Sequence, residues 1–237
     1  MSPLSLAPAI TPDSTTRLRL VSGGRSFISV PVDHTPGESP WLVTAMHELL
    51  ATHDRVLFLL VTELGDYDGG ADLRADHPVL RPAATAERAV EVTMSQWREL
   101  EAIRGTLPAS ETHRVQIASW SHFIDPSFAA VWRHLLTAFG VGIAFRRDVL
   151  RLGRKYLKDG RGQGVAAPVA RVACLRAIES LAMRLRVAEL AGYHHEYGRG
   201  RDAVLAARLY AGAYATDGLT VESLIGEAPQ RRYHQLG

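Results

Sequence analysis

The run Tyr193-His194-His195-Glu196-Tyr197 packs titratable and aromatic groups more densely than any other stretch of this chain. Read as a strand, it sends Tyr193, His195 and Tyr197 to one face and His194 and Glu196 to the other. Hydroxyls and imidazoles so arranged suit an aminoacyl or acceptor pocket that binds an amine, or an aromatic cluster at the surface. They do not suit zinc, because helical zinc sites want histidines four apart with a third ligand, a spacing this run lacks. The one cysteine, Cys174, rules out an intramolecular disulfide and any cysteine-based metal cluster, and it reads as core on an apolar helix face. No metal and no cofactor is expected.

Two further groups carry chemistry. Asp33, His34 and Thr35 follow the apolar run Ser26–Val32, and Glu63 follows the run Arg55–Thr62, with Asp66, Tyr67 and Asp68 close behind. His34 is placed for a general base at a strand end, while Asp33 serves equally as a cap for the next helix. The other group is basic. Arg147, Arg151, Arg154 and Lys158 recur at helical spacing, flanked by Arg146 and Lys155. They share one helix face over about 16 Å. No acid interrupts residues 150–158, so the stripe suits a phosphate backbone as well as it suits a solvated helix face.

Elements must hold these groups in place. Ser26–Val32 and Arg55–Thr62 read as strands, with a helix from Trp41 to Thr52 between them: a βαβ unit with parallel strands. Ligands in such sheets bind beyond the carboxyl ends of the strands, which is where His34 and Glu63 fall. Ala86–Arg104 has helical periodicity, and Arg114–Trp120 is a third strand. Asp125-Pro126 starts a helix to about Phe139; Gly140-Val141-Gly142 breaks it, and it resumes through Lys158. Gly160–Gly164 reads as a hinge, since a dinucleotide fingerprint would follow a strand. Pro168 opens a long helix to about Arg186, Glu189–Tyr197 reads as a last strand, Asp202–Tyr214 as a helix and Val221–Ile225 as a turn. The alternation implies an α/β fold, a Rossmann-like doubly wound parallel sheet with helices on both faces. Residues 1–16 read as a flexible lead-in to one catalytic domain over 17–237.

Composition narrows the class. The chain has 237 residues and a net charge of +2, with lysine only at Lys155 and Lys158, so arginine supplies nearly all positive charge. No segment has the apolar length of a membrane span, and the first residues have neither the basic start nor the apolar run of a secretory signal. A cytoplasmic setting without membrane contact is expected.

Ser26–Ser39, Arg55–Tyr67, Arg114–Lys158 and Tyr193-His194 together resemble, in order and spacing, the tRNA-dependent cyclodipeptide synthases, whose fold is similar to the catalytic domain of class I aminoacyl-tRNA synthetases. The resemblance spans roughly 20–212. It implies an enzyme that takes amino acids from aminoacyl-tRNA and joins them without ATP. It also assigns residues. Glu179 fits the family's catalytic glutamate, with Leu175 where a tyrosine is usual, and Tyr193-His194 fits a Tyr-His pair that follows the last strand. The family's first strand ends in Gly-aliphatic-Ser, whose serine takes the first aminoacyl group; the matching tripeptide here is Ser29-Val30-Pro31. Proline offers no nucleophile. The reading that follows is direct transfer from tRNA to a small amine, amino acid or hydroxyl acceptor, with His34, Glu179 or His194 as base. Ser29, Pro31, Asp33, Thr35, Glu63, Tyr193, His195 and Tyr197 would line the pocket, and the basic stripe would dock the tRNA. The rivals are a cyclodipeptide synthase using Ser29 or Thr35, a non-catalytic tRNA- or RNA-binding domain, and an unrelated nucleotide-binding Rossmann enzyme. The last lacks a glycine-rich turn after either early strand, and no synthetase signature for amino-acid activation occurs.

Overall fold

A computed structural model describes residues 24–30, 41–60, 83–159, 167–193, 195–198, 203–226 and 232–235, without the side chains of 83–90, 155–159, 167–170, 172, 203 and 235. In chain order the elements are β1 (Arg25–Val30), α1 (Trp41–Thr52), β2 (Arg55–Leu60), α2 (Ala83–Gly105), α3 (Ala109–Thr112), β3 (Val115–Ser119), α4 (Pro126–Val141), α5 (Ala144–Asp159), α6 (Ala167–Ala191), β4 (His195–Gly198), α7 (Ala203–Tyr210), α8 (Val221–Ile225) and β5 (Arg232–Gln235). Single 3-10 turns occupy Trp120–Phe123 and Ala215–Asp217.

The strands form one sheet in the order β3-β2-β1-β4-β5, with every pairing parallel. The fold is therefore the expected α/β Rossmann-like one, and the first three strands are neighbours as the sequence predicts. In β1 and β2 all residues after the leading arginine are buried, as strands covered on both faces must be. Ile28, Val30, Val56, Phe58 and Leu60 pack with Leu42, Met46 and Leu49 of α1 and Leu100 of α2. Phe27, Leu57 and Leu59 pack with Met183, Val187 and Ala188 of α6. A separate core unites α4, α5, α6, α7 and α8 around Leu135, Phe145, Ile178, Leu181 and Leu209.

Local chemistry sets the helix ends. Asp125 caps α4, accepting the Phe128 N–H at 2.7 Å, with Pro126 in the first turn. The break predicted at Gly140-Val141-Gly142 falls at Gly142-Ile143, because α4 runs through Val141, past its predicted end near Phe139. A Cβ at Gly142 would lie 2.7 Å from the Ala138 carbonyl and 2.9 Å from Asp217 Oδ2. The Asp217 carboxylate accepts the N–H groups of Ile143 (3.1 Å) and Phe145 (2.8 Å), capping α5 from the far 3-10 turn.

Three expectations need correction. Glu189–Tyr197 is not one strand. α6 keeps burying apolar side chains through Ala188 and ends at Ala191, where Gly192 takes φ 62°, and only His195–Gly198 is strand. The helix predicted over Asp202–Tyr214 stops at Tyr210. A fifth strand, β5, was not anticipated, because a four-residue, largely polar edge strand has no apolar run to betray it. The predicted lead-in over 1–16 lies outside the described residues.

Candidate active site at the sheet switch point

The chain leaves β1 toward β2 and β3 on one side, and β4 and β5 lie on the other. Strand order thus reverses between β1 and β4, and the crevice beyond their carboxyl ends is where such sheets bind ligands. Val30 and Gly198 are the last strand residues there. Ser29 is 5% exposed and its hydroxyl has no hydrogen-bond partner among the described residues. It pairs in register with Leu59, so it shares the α6 face of the sheet with Phe27.

On that face Arg184 of α6 reaches Glu196 of β4, Nη1 to Oε1 at 2.5 Å. Glu196 is 1% exposed, and its other oxygen, Oε2, has no partner among the described residues. Burial pushes the Glu196 carboxyl above the usual range, and the Arg184 charge opposes that rise. Gly198 is required beside this pair. A Cβ there would lie 2.6 Å from the Tyr233 hydroxyl and 3.3 Å from Arg184 Nη1. The Tyr233 hydroxyl donates to the Gly198 carbonyl at 3.4 Å, tying β5 to the end of β4.

α6 runs antiparallel to the strands, since its end feeds β4. Arg184 sits beside Glu196, which pairs with Phe27. Glu179 is five residues back along α6, about 7.5 Å, and Ser29 is two residues past Phe27, about 6.6 Å. Glu179 is therefore about level with the end of β1, at the carboxyl edge of the sheet. It is mostly buried and ion-paired with Arg176. Leu175 is half-buried.

The Tyr193–Tyr197 run divides. Tyr193 enters β4 at the amino edge, remote from the crevice, because Tyr193-His194 here precede the strand instead of following it. It packs with Met183 and Val187 on the α6 face, edge-on to Phe27 at 5.9 Å, and its hydroxyl donates to Gln116 at 3.0 Å. Burial pushes its pKa up to about 12. Its expected common face with His195 and Tyr197 is thus overturned, since the left-handed turn at Gly192 puts it outside the strand's alternation.

His195 and Tyr197 join a cluster on the α1 face. Tyr197 bonds His53 Nε2 at 3.2 Å and stacks on His234 at 4.7 Å, and His195 Nδ1 lies 3.0 Å from His234 Nε2. Burial lowers the pKa of both His53 and His234. Among the described residues no group of three His, Cys, Asp or Glu is arranged to hold a metal ion. Pro31, Asp33, His34, Thr35, Glu63 and His194 lie outside the described residues.

The basic stripe forms one wall of a cleft of about 800 Å³ at the α4–α5 corner, lined by Arg146, Arg147, Arg151, Arg154, Leu150 and the Val141–Ile143 turn. All four arginines are exposed. Lys155 and Lys158 continue α5, their side chains outside the described set. The one acid of α5's first turns, Asp148, faces inward to Arg208 (2.6 Å) and the Tyr214 hydroxyl (3.2 Å). No single described helix is long and apolar enough to cross a membrane; α4 and α5 pass that test only as a pair, bent by 97°.

Sequence reasoning missed Arg184, Gly198, Tyr233, His53 and His234. Arg184 and Arg186 inside the apolar stretch Leu181–Ala188 were a readable signal, since buried arginines require acidic partners, here Glu196 for Arg184 and Asp125 and Glu189 for Arg186.

No protein-family model and no curated protein matches the chain. Solved structures do. A cyclodipeptide synthase from Fluoribacter dumoffii superposes with a TM-score of 0.64 at 14% identity, over 89% of each chain. One from Staphylococcus haemolyticus gives 0.62 at 10% identity, over 90% of this chain and 88% of that one. A Mycobacterium tuberculosis protein, described as relating cyclodipeptide synthetases to type I tRNA synthetases, gives 0.56 at 16%, over 90% and 84%. At such identities the likeness is one of fold: the chain has the cyclodipeptide synthase fold, related to that of the class I tRNA synthetases.

Proposed function

We propose that this chain is an aminoacyltransferase that passes an amino acid from aminoacyl-tRNA directly to a small acceptor, an amine or a hydroxyl. The observation that carries the reading is the end of β1. In a fold shared with cyclodipeptide synthases, β1 ends at Val30, and the next residue of the sequence is Pro31, which has no nucleophile. The alternative nucleophile Ser29 is buried on the α6 face without a hydrogen-bonded base. This favours direct transfer over a two-step route through a covalent aminoacyl-enzyme, for which Thr35, outside the described residues, is the other substitute nucleophile.

In the direct route the acceptor nitrogen attacks the ester carbonyl carbon. The C–N bond forms, the C–O bond to the terminal ribose breaks, the ammonium proton passes to a base and the ribose hydroxyl leaves protonated. The ester supplies the driving force, so neither ATP nor a metal enters the balance. Glu179, about level with the crevice on α6, is the described residue we take as base, with His34 as a further candidate; His194 precedes β4 in the chain, at the end of that strand away from the crevice. Asp33, Thr35 and Glu63 would complete the pocket, and Arg146, Arg147, Arg151, Arg154, Lys155 and Lys158 would hold the tRNA backbone. A cytoplasmic role in specialised natural-product metabolism goes with this reading.

The test incubates the protein with a mixed pool of charged tRNAs, with and without candidate amines. New amides by mass spectrometry, with the protein's intact mass unchanged, support direct transfer. An aminoacyl adduct mapped to Ser29 or Thr35 would restore the two-step cyclodipeptide route. No product with any pool would leave a nucleic-acid-binding domain.

A further inference from the structure

We propose that the α4–α5 cleft seats an RNA strand carrying at least one unpaired base, with the base against Val141 and Ile143 and the flanking phosphates against Arg146, Arg151 and Arg154. The inference rests on the tRNA-dependent reading only for RNA as the natural source of that strand.

Two observations meet at this corner. Val141 and Ile143 are 78% and 82% exposed, yet both sit on a cleft whose remaining wall is arginine. Lone exposed aliphatics are ordinary on a soluble surface. A pair set into a single-signed cationic cleft is not, because water and counterions satisfy the guanidinium groups but leave the aliphatic pair uncovered. Arg146, Arg151 and Arg154 have no acidic partner among the described residues, and only Arg147 leans on Asp148, at 3.4 Å. The charge asks for phosphates. A continuous duplex would supply phosphates, sugars and the polar base edges of its grooves, leaving the aliphatic pair without an apolar face to cover it. An unpaired base has an apolar face for Val141 and Ile143 and a π-system for a guanidinium.

The corner is built to keep this shape. Asp217 holds the Ile143 and Phe145 N–H groups, and Gly142 leaves no room for a side chain. A lipid surface fits less well, because the apolar face of α5 (Phe145, Val149, Leu152) is core and only the corner pair remains outside.

The test is fluorescence anisotropy of the full chain with a blunt RNA duplex and with the same duplex bearing a short 3′ single-stranded overhang. The overhang should tighten binding about tenfold. Val141→Ser/Ile143→Ser should remove that preference and leave the salt slope unchanged. Arg151→Ala/Arg154→Ala should instead flatten the slope of log affinity against log salt by about 0.7–0.9 per lost phosphate contact. Equal affinity for the two RNAs, or a preference that survives the serine variant, overturns the proposal. So does binding to anionic vesicles, or self-association, that disappears in the serine variant while RNA preference is absent. Wild-type protein that keeps the preference but makes no amide counts against the proposed transferase alone. Wild-type protein that makes amide without any preference counts against the cleft alone.

Discussion

Arg184 Nη1 donates to Glu196 Oε1 at 2.5 Å across the interface between α6 and β4, and both side chains are shut away from water. The pair fixes how far α6 slides along the sheet, and so where Glu179 stands relative to the end of β1. Removing one partner strands the other charge. Arg184→Ala should lower unfolding free energy by about 3–5 kcal/mol, measured by urea titration at neutral pH. Arg184→Met with Glu196→Leu should lie near wild type. If Arg184→Ala alone is near neutral, the pair is not buried as described.

The same pair sets a pH dependence. The folded Glu196 carboxyl titrates above its unfolded value because it is buried. The folded state therefore holds more protons in the window from the ordinary glutamate range up to the raised pKa, and Glu196's contribution to stability falls as pH rises through it. Glu196→Gln should flatten that limb of a stability-against-pH curve. An unchanged limb would assign it to other groups.

The histidine cluster works in the opposite sense. Burial lowers the pKa of His53 and of His234, with their mutual repulsion and Arg232 adding to the effect at His234 and Asp54 opposing it at His53. Folding sheds protons, so stability is present above the unfolded histidine value and is lost as pH falls through about 6.5 toward the lowered pKa values. Melting temperature should drop between pH 8 and pH 5.5, and His234→Gln should reduce the drop. Equal drops in both proteins would place the acid sensitivity outside this cluster.

Glu179→Gln should cut amide formation by about 10²–10⁴-fold with little change in melting temperature, the range for loss of a positioned base. Retention of wild-type turnover would remove Glu179 from the chemistry and shift attention to His34.

Gly198→Ala should destabilise by about 1–3 kcal/mol through crowding, since its Cβ would meet the Tyr233 hydroxyl at 2.6 Å. Tyr233→Phe in the same chain should recover most of the loss, by thermal melts. Failure to recover would move the crowding to Arg184.

Much of the fold was legible because the sheet centre writes itself in apolar runs: β1, β2 and β3 fall where the sequence puts them, and α1 has the same limits. β5 was not legible, since Arg232–Gln235 joins the sheet through backbone pairing and ring stacking on Tyr197. The site was legible in part. Glu179 reaches the carboxyl edge, yet Tyr193 does not, because one extra helical stretch through Ala191 moves the Tyr-His pair to the near side of its strand. The Arg184–Glu196 pair spans twelve residues and two elements, a contact that no local periodicity encodes.

Asp217 gives the arginine cleft a history as well as a shape. The carboxylate that caps α5 lies 72 and 74 residues beyond the amides it accepts, so the corner closes only when distant parts of the chain have met. Long-range closures of this kind come late in folding. α4 and α5 can each wind early from local contacts, but their 97° elbow must wait for the turn at Ala215–Asp217. The cleft is accordingly a certificate of completed folding: a chain arrested halfway would carry the same arginines on an unlatched joint.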